Sequence, residues 1–164
     1  MRKTLLIIVS LFVTISVFSS DFVNQFIEKY GEVERPLKNV NIGKTMLDQM
    51  AENTSDEELK AAFKDLNSIR IVSSDNQEDS KHYFDKAIQL VDEAFSEYQE
   101  VASVNENMSK ISVFMKRESD DKQDLILITL DANSKFSVIT VSGKIDFNSI
   151  SKLSGTLKDE AGIQ

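Results

Sequence analysis

KISVFMKRESDDKQDLILITLDANSKFSVITVSG, residues 110–143, is the stretch that decides the fold. Ile111, Val113 and Met115 alternate with polar neighbours, Phe114 excepted, which marks a half-buried strand. Residues 120–123 are polar and read as a turn. LILITL, residues 125–130, is apolar on both faces, so it belongs near the centre of a sheet with both faces covered. Asn133 and Ser134 top a hairpin, and residues 136–141 return from it. Consecutive strands joined this closely build an antiparallel sheet. The expected fold class is therefore α+β, a two-layer arrangement of a mainly antiparallel sheet with helices packed on it.

Upstream, the period changes. YQEVASV, residues 98–104, reads as another strand or as the fraying end of a helix. Before it, Phe84, Ala87, Ile88, Val91, Ala94, Phe95 and Tyr98 form an apolar stripe at helical spacing, which predicts the longest helix over residues 81–98. Residues 75–80 read as a polar loop. SIRIVSS, residues 68–74, is a strand with Ile69 and Ile71 on one side and Arg70 and Val72 on the other. In NTSDEELKAAFKDL, Ser55 and Glu58 have capping-box spacing, and Leu59, Ala62, Phe63 and Leu66 make one face of a helix. Residues 44–50 are helical in pattern, and Val40 and Ile42 share a strand face. The run from Val40 to Val72 thus allows a parallel strand pair with a right-handed crossover. A first short helix covers residues 21–30 and ends at Gly31.

Composition narrows the classes of function. The chain has 164 residues, 41% hydrophobic and 28% charged, with one proline and five glycines, so it holds no Pro/Gly-rich linker. The opening residues combine Arg2 and Lys3 with an apolar run over residues 5–18 and a small-residue close at Ser19 and Ser20. That is the pattern of a secretory signal peptide. The run falls short of the roughly 20 residues that span a bilayer. The expected organisation is a signal peptide over residues 1–20, cleaved after Ser19 or Ser20, and a single α+β domain over residues 21–164. No stable transmembrane segment remains after cleavage. Losing Arg2 and Lys3 takes the formal charge from −8 to −10. Such a surface repels phosphate backbones, so a nucleic-acid partner is not expected. With no cysteine, disulfides, thiol catalysis and cysteine–metal sites are excluded.

No motif assembles a catalytic, cofactor or metal site. Gly143 and Lys144 lack the first glycine of a phosphate loop, and Ile145 follows the lysine. The better reading is a structural joint, in which Gly143 takes a positive φ at the strand end and Asp146 caps the next helix. Phe147, Ile150, Leu153 and Leu157 would dock that helix on the sheet. His82 is the one histidine and reads as a helix-surface residue. The acids at 56–58, 78–79, 120–121 and 124 fall at turns and helix starts, where acids are expected in any case. Arg70 is the one binding candidate. Set among apolar neighbours, it pairs with a carboxylate or points into a pocket.

FSVITVSGKIDFNSISKL resembles the terminal signature of a family of small exported Bacteroidota proteins, the domain of unknown function numbered four-two-five-two. Phe136, Ser142, Gly143, Ile145, Asp146, Phe147, Ile150, Ser151, Lys152 and Leu153 carry the pattern. Ser68, Ile69 and Arg70 resemble the family's Ser-Ile-Arg strand, and Tyr98, Glu100 and Val104 match a further segment. Asn67 departs from the common Asp, and residues 105–109 lack the usual glycines. The resemblance implies export and supplies no catalytic residues. The expectation is a non-catalytic protein of the periplasm or cell envelope of a Gram-negative bacterium. It would bind a protein or envelope component through an exposed sheet face or edge strand. The alternative is a small-ligand binding module, and the third reading is a hydrolase in which acids, a serine and His82 converge.

Overall fold

The computed structural model describes residues 21–32 and 35–146. The expected signal peptide and the expected helix beyond Asp146 lie outside the described residues. Four helices and six strands follow in the order α1 (Phe22–Tyr30), β1 (Lys38–Gly43), α2 (Lys44–Asn53), α3 (Glu57–Asp65), β2 (Leu66–Ser74), α4 (Gln77–Ala94), β3 (Gln99–Glu106), β4 (Ser109–Ser119), β5 (Lys122–Leu130) and β6 (Phe136–Gly143). The strands form one sheet ordered β1-β2-β6-β5-β4-β3, and every neighbouring pair is antiparallel. The α+β class and the antiparallel sheet are as the sequence predicts. LILITL falls in β5, inside the sheet and apolar on both sides.

The parallel pair between β1 and β2 does not form; they pair antiparallel, with Gly43 opposite Ser68. Two helices connect them instead of one. Helix α2 starts directly from β1, and α3 folds back on it. The chain therefore re-enters the sheet at the end it left, which forces an antiparallel partner.

Strand alternation sorts the core into two faces. On the front face, Val72, Val138, Ile126 and Ile128 meet α1 and α4. Phe26 is the hub, with ring centroids 5.6 Å from Phe136, 6.1 Å from Tyr83 and 5.4 Å from Tyr30. On the back face, Ile42, Ile69, Ile71 and Leu125 meet Leu47, Ala51, Phe63 and Leu66 of the α2–α3 hairpin. Register makes the back face apolar across the whole sheet. Val40, Ile71, Ile139, Leu127, Val113 and Ala102 stand in one cross-strand row.

Local chemistry shifts three boundaries from their expected places. Asp56, not Ser55, caps α3, accepting from the Glu58 and Leu59 N–H groups at 2.9 and 3.1 Å. The expected loop at 75–80 is already helical from Gln77, because Asn76 accepts from the Glu78 N–H at 2.9 Å and caps α4 there. Asp79 in that first turn is buried yet ion-paired to Arg35 at 3.3 Å. Helix α4 also stops at Ala94 rather than Tyr98. Phe95 leaves the helix to set its ring 5.2 Å from Phe22 and 5.9 Å from Tyr98. Those contacts outweigh one more turn whose outer face would bury nothing.

Gly143 closes the sheet. Its φ of 139° lies in the region that L side chains avoid. A Cβ there would sit 2.6 Å from the Asp65 carbonyl oxygen and 2.7 Å from the Leu66 Cα. The next residue's N–H donates to that same Asp65 carbonyl at 2.9 Å.

Candidate functional site

Where the front face runs past the ends of α1 and α4, its side chains turn polar. One row reads Arg70, Thr140, Ile126 and Phe114; the next row outward reads Ser68, Ser142, Asp124 and Lys116. The residues around the end of α4 and the Asp21 cap of α1 wall this floor. Together they enclose a cleft of about 300 Å³, which includes Glu97, Tyr98 and Glu118.

Arg70 lies in this cleft, with a side chain only 13% exposed. It sits on an inner strand rather than at the sheet edge. Its guanidinium is ion-paired to the Asp21 carboxylate and donates to Asn24 Oδ1 at 2.9 Å. Its Nε is buried and makes no hydrogen bond. The pairing ties β2 to the start of α1, since the Asp21 carboxylate also accepts from the Asn24 N–H at 2.9 Å.

The acids and bases of the cleft interlock. Lys116 reaches Glu97 at 3.6 Å and Glu118 at 3.8 Å, and Lys122 reaches Glu118 at 2.5 Å. The Lys122 ammonium, by its hydrogen bond, holds the Glu118 carboxyl below its usual range. Burial pushes Asp124 the other way, assisted by the Glu118 charge and partly offset by a hydrogen bond from the Ser142 hydroxyl. Asp124 and Glu118 also hydrogen-bond each other, so one proton is shared between two carboxyls. Burial likewise raises Tyr98 far above an ordinary phenol, with the charges of Asp124 and Glu97 adding to it. Tyr98 therefore keeps its proton at any physiological pH.

A second feature lies at the sheet's edge. All eight residues of β3 are exposed, and its one ladder is with β4. Val101, Val104 and Met108 are 46%, 43% and 80% exposed. Among the described residues the one other exposed large apolar side chain is Met46 on α2. A register shift between Glu100 and Ala102 interrupts the strand at Val101.

The remaining candidates stay apart. His82 lies on the exposed side of α4, its ring 5.9 Å from that of Tyr83, and does not join the cleft. Asp56, Asn76 and Asp79 serve helix starts. Gly143 is the structural joint the sequence predicts; Asp146 is the last described residue, and the helix it would cap lies outside the described residues. No group of three or more potential metal-ligating side chains occurs among the described residues. Sequence reasoning picked out Arg70 but missed its companions Tyr98, Glu118 and Asp124. The available signal was one of phase. Each cleft strand carries a polar residue at a front-face position one step beyond its apolar run.

A family model described as a domain of unknown function (DUF4252) matches residues 32–153. The chain belongs to this family. No curated protein and no solved structure matches it.

Proposed function

We propose that this member of the DUF4252 family is a non-catalytic protein, exported to the periplasm or cell envelope, that binds a partner protein through edge strand β3. The observation that carries the reading is the fully exposed strand with its unpaired outer edge and its apolar residues Val101 and Val104. A free edge of this kind adds an extended segment of another chain as a further strand. Glu100 and Glu106 near its two ends favour a segment with basic residues around an apolar centre. They disfavour a second copy of the same chain, which would set like charges near one another. Export rests on the leader-like pattern of residues 1–20.

The test is crosslinking in the native cell with tagged full-length protein carrying a photo-crosslinker at Met108, followed by mass spectrometry of the envelope fraction. One dominant partner is expected. Val101→Glu with Val104→Glu should abolish its capture and leave the melting temperature unchanged, because both side chains are exposed. Capture that survives the double substitution, or no partner at all, refutes the reading. A small-ligand module is the second reading, and the cleft beside Arg70 is the observation that favours it.

A further inference from the structure

The cleft holds one cation fewer than it holds carboxyls. Arg70 is matched by Asp21, Lys116 by Glu97 and Glu118, and Lys122 by Glu118. Asp124 is left with no ion pair among the described residues. Its hydrogen bonds go to the Ser142 hydroxyl and to the Glu118 carboxyl. Two carboxyls side by side in a half-buried place need a positive charge between them or a shared proton.

We propose that the cleft is a binding site for a primary ammonium group, which replaces the proton shared by Asp124 and Glu118. A volume of about 300 Å³ has room for a cation bearing several heavy atoms. The donor set suits an ammonium better than a divalent ion, since no third potential metal-ligating side chain joins the two carboxyls. An ammonium has three N–H donors. Asp124 and Glu118 accept two, and the hydroxyl oxygens of Thr140 and Ser142 are acceptors on the same floor. The Tyr98 ring supplies an aromatic wall that tolerates a cation; the Lys116 Nζ already lies 5.9 Å from its centroid.

Two sources carry this chemistry. One is a free amine. The other is the chain itself, because Asp21 lines the same cleft, and cleavage after Ser20 would leave its α-ammonium there. The inference is independent of the β3 reading, which uses a different surface and a different assay.

The experiment uses the protein as purified from the exporting cell, with its first residue fixed by intact mass. The Asp124 carboxyl is titrated by carbon NMR with and without ethanolamine, with glycerol and acetate as neutral and anionic controls. An ammonium that takes the proton's place should lower the Asp124 midpoint by about one pH unit, a tenfold linkage. Asp124→Asn should weaken ethanolamine binding at least about tenfold. If the chain's own terminus is the occupant, the α-amino group will resist acetylation while surface lysines react. Ethanolamine will then act only after the terminus is acetylated in denaturant and the protein refolded. If the occupant comes from outside, ethanolamine shifts the midpoint while the α-amino group reacts freely. An unmoved midpoint with a freely reacting terminus overturns the proposal, as does an equal shift from glycerol.

Discussion

Replacing Gly143 with alanine tests the joint that holds the two halves of the sheet together. The added methyl has nowhere to go. Three backbone atoms, the Asp65 oxygen, Leu66 Cα and Asn67 nitrogen, would lie 2.6, 2.7 and 2.9 Å from it. None is a side-chain end that can swing aside. The φ of 139° adds strain of about 1–3 kcal/mol for any L side chain. Overpacking against a fixed backbone adds about 1–3 kcal/mol more. The expected loss is therefore roughly 2–5 kcal/mol, a large part of the roughly 5–15 kcal/mol that holds a domain folded. Urea unfolding followed by circular dichroism reads it directly. With a slope of about 2 kcal/mol per molar, the midpoint should fall by about 1–2 M. Gly43 is the control: a Cβ there meets nothing within 4 Å, and its backbone is extended. Gly43→Ser should hold or raise the midpoint, because Gly43 caps α2 without a side-chain bond. Equal midpoints for Gly143→Ala and the unmodified protein would refute the steric argument.

Three further outcomes follow from particular contacts. Asp56→Ala should cost about 1 kcal/mol by freeing the Glu58 and Leu59 N–H groups, whereas Ser55→Ala should change stability by less than about 0.5 kcal/mol; thermal melts of both decide which residue caps α3. Phe136→Ala should cost about 3–5 kcal/mol in urea unfolding, because its fully buried ring packs against Phe26 and Tyr83. Asp124→Asn should be more stable than the parent at pH 7. The folded-state value of Asp124 is raised, so its contribution is favourable below the ordinary value of 3.8 and is lost as pH rises through the folded value. The advantage of the variant should disappear below about pH 3.8, and melts across that range that stay parallel would contradict it.

Much of the fold was legible because local and global signals agreed. The period-two runs of β4, β5 and β6 each have one strongly apolar face, and α1 carries both its Asp21 cap and its aromatic stripe. The misreadings share one cause, which is that local pattern does not fix what the chain packs against. The stripe through Phe95 and Tyr98 has helical spacing, yet Phe95 makes better contacts outside the helix. The run between β1 and β2 looks like a crossover until α3 folds back on α2. The cleft was the least legible part. Arg70, Tyr98, Glu118 and Asp124 come from three strands and a loop, far apart in sequence. Only the register brings Ser142 and Asp124 side by side. Arg70 alone stood out, because an arginine between two isoleucines is locally inconsistent.

The strand order also sets a timetable for the growing chain. The sheet places β6, the last described strand, between β2 and β5, so Ser74 pairs with Phe136. Until β6 has been synthesised, β1–β2 and β3–β5 are separate ribbons with no common backbone ladder. Each ribbon then presents a long unpaired edge, that of β2 or that of β5, rich in isoleucine and leucine. Closure waits on a contact between segments separated by most of the chain, and such distant pairings form slowly. The nascent protein stays open, sticky and threadable until nearly all of it has been made, and one strand then zips the two halves into a single sheet.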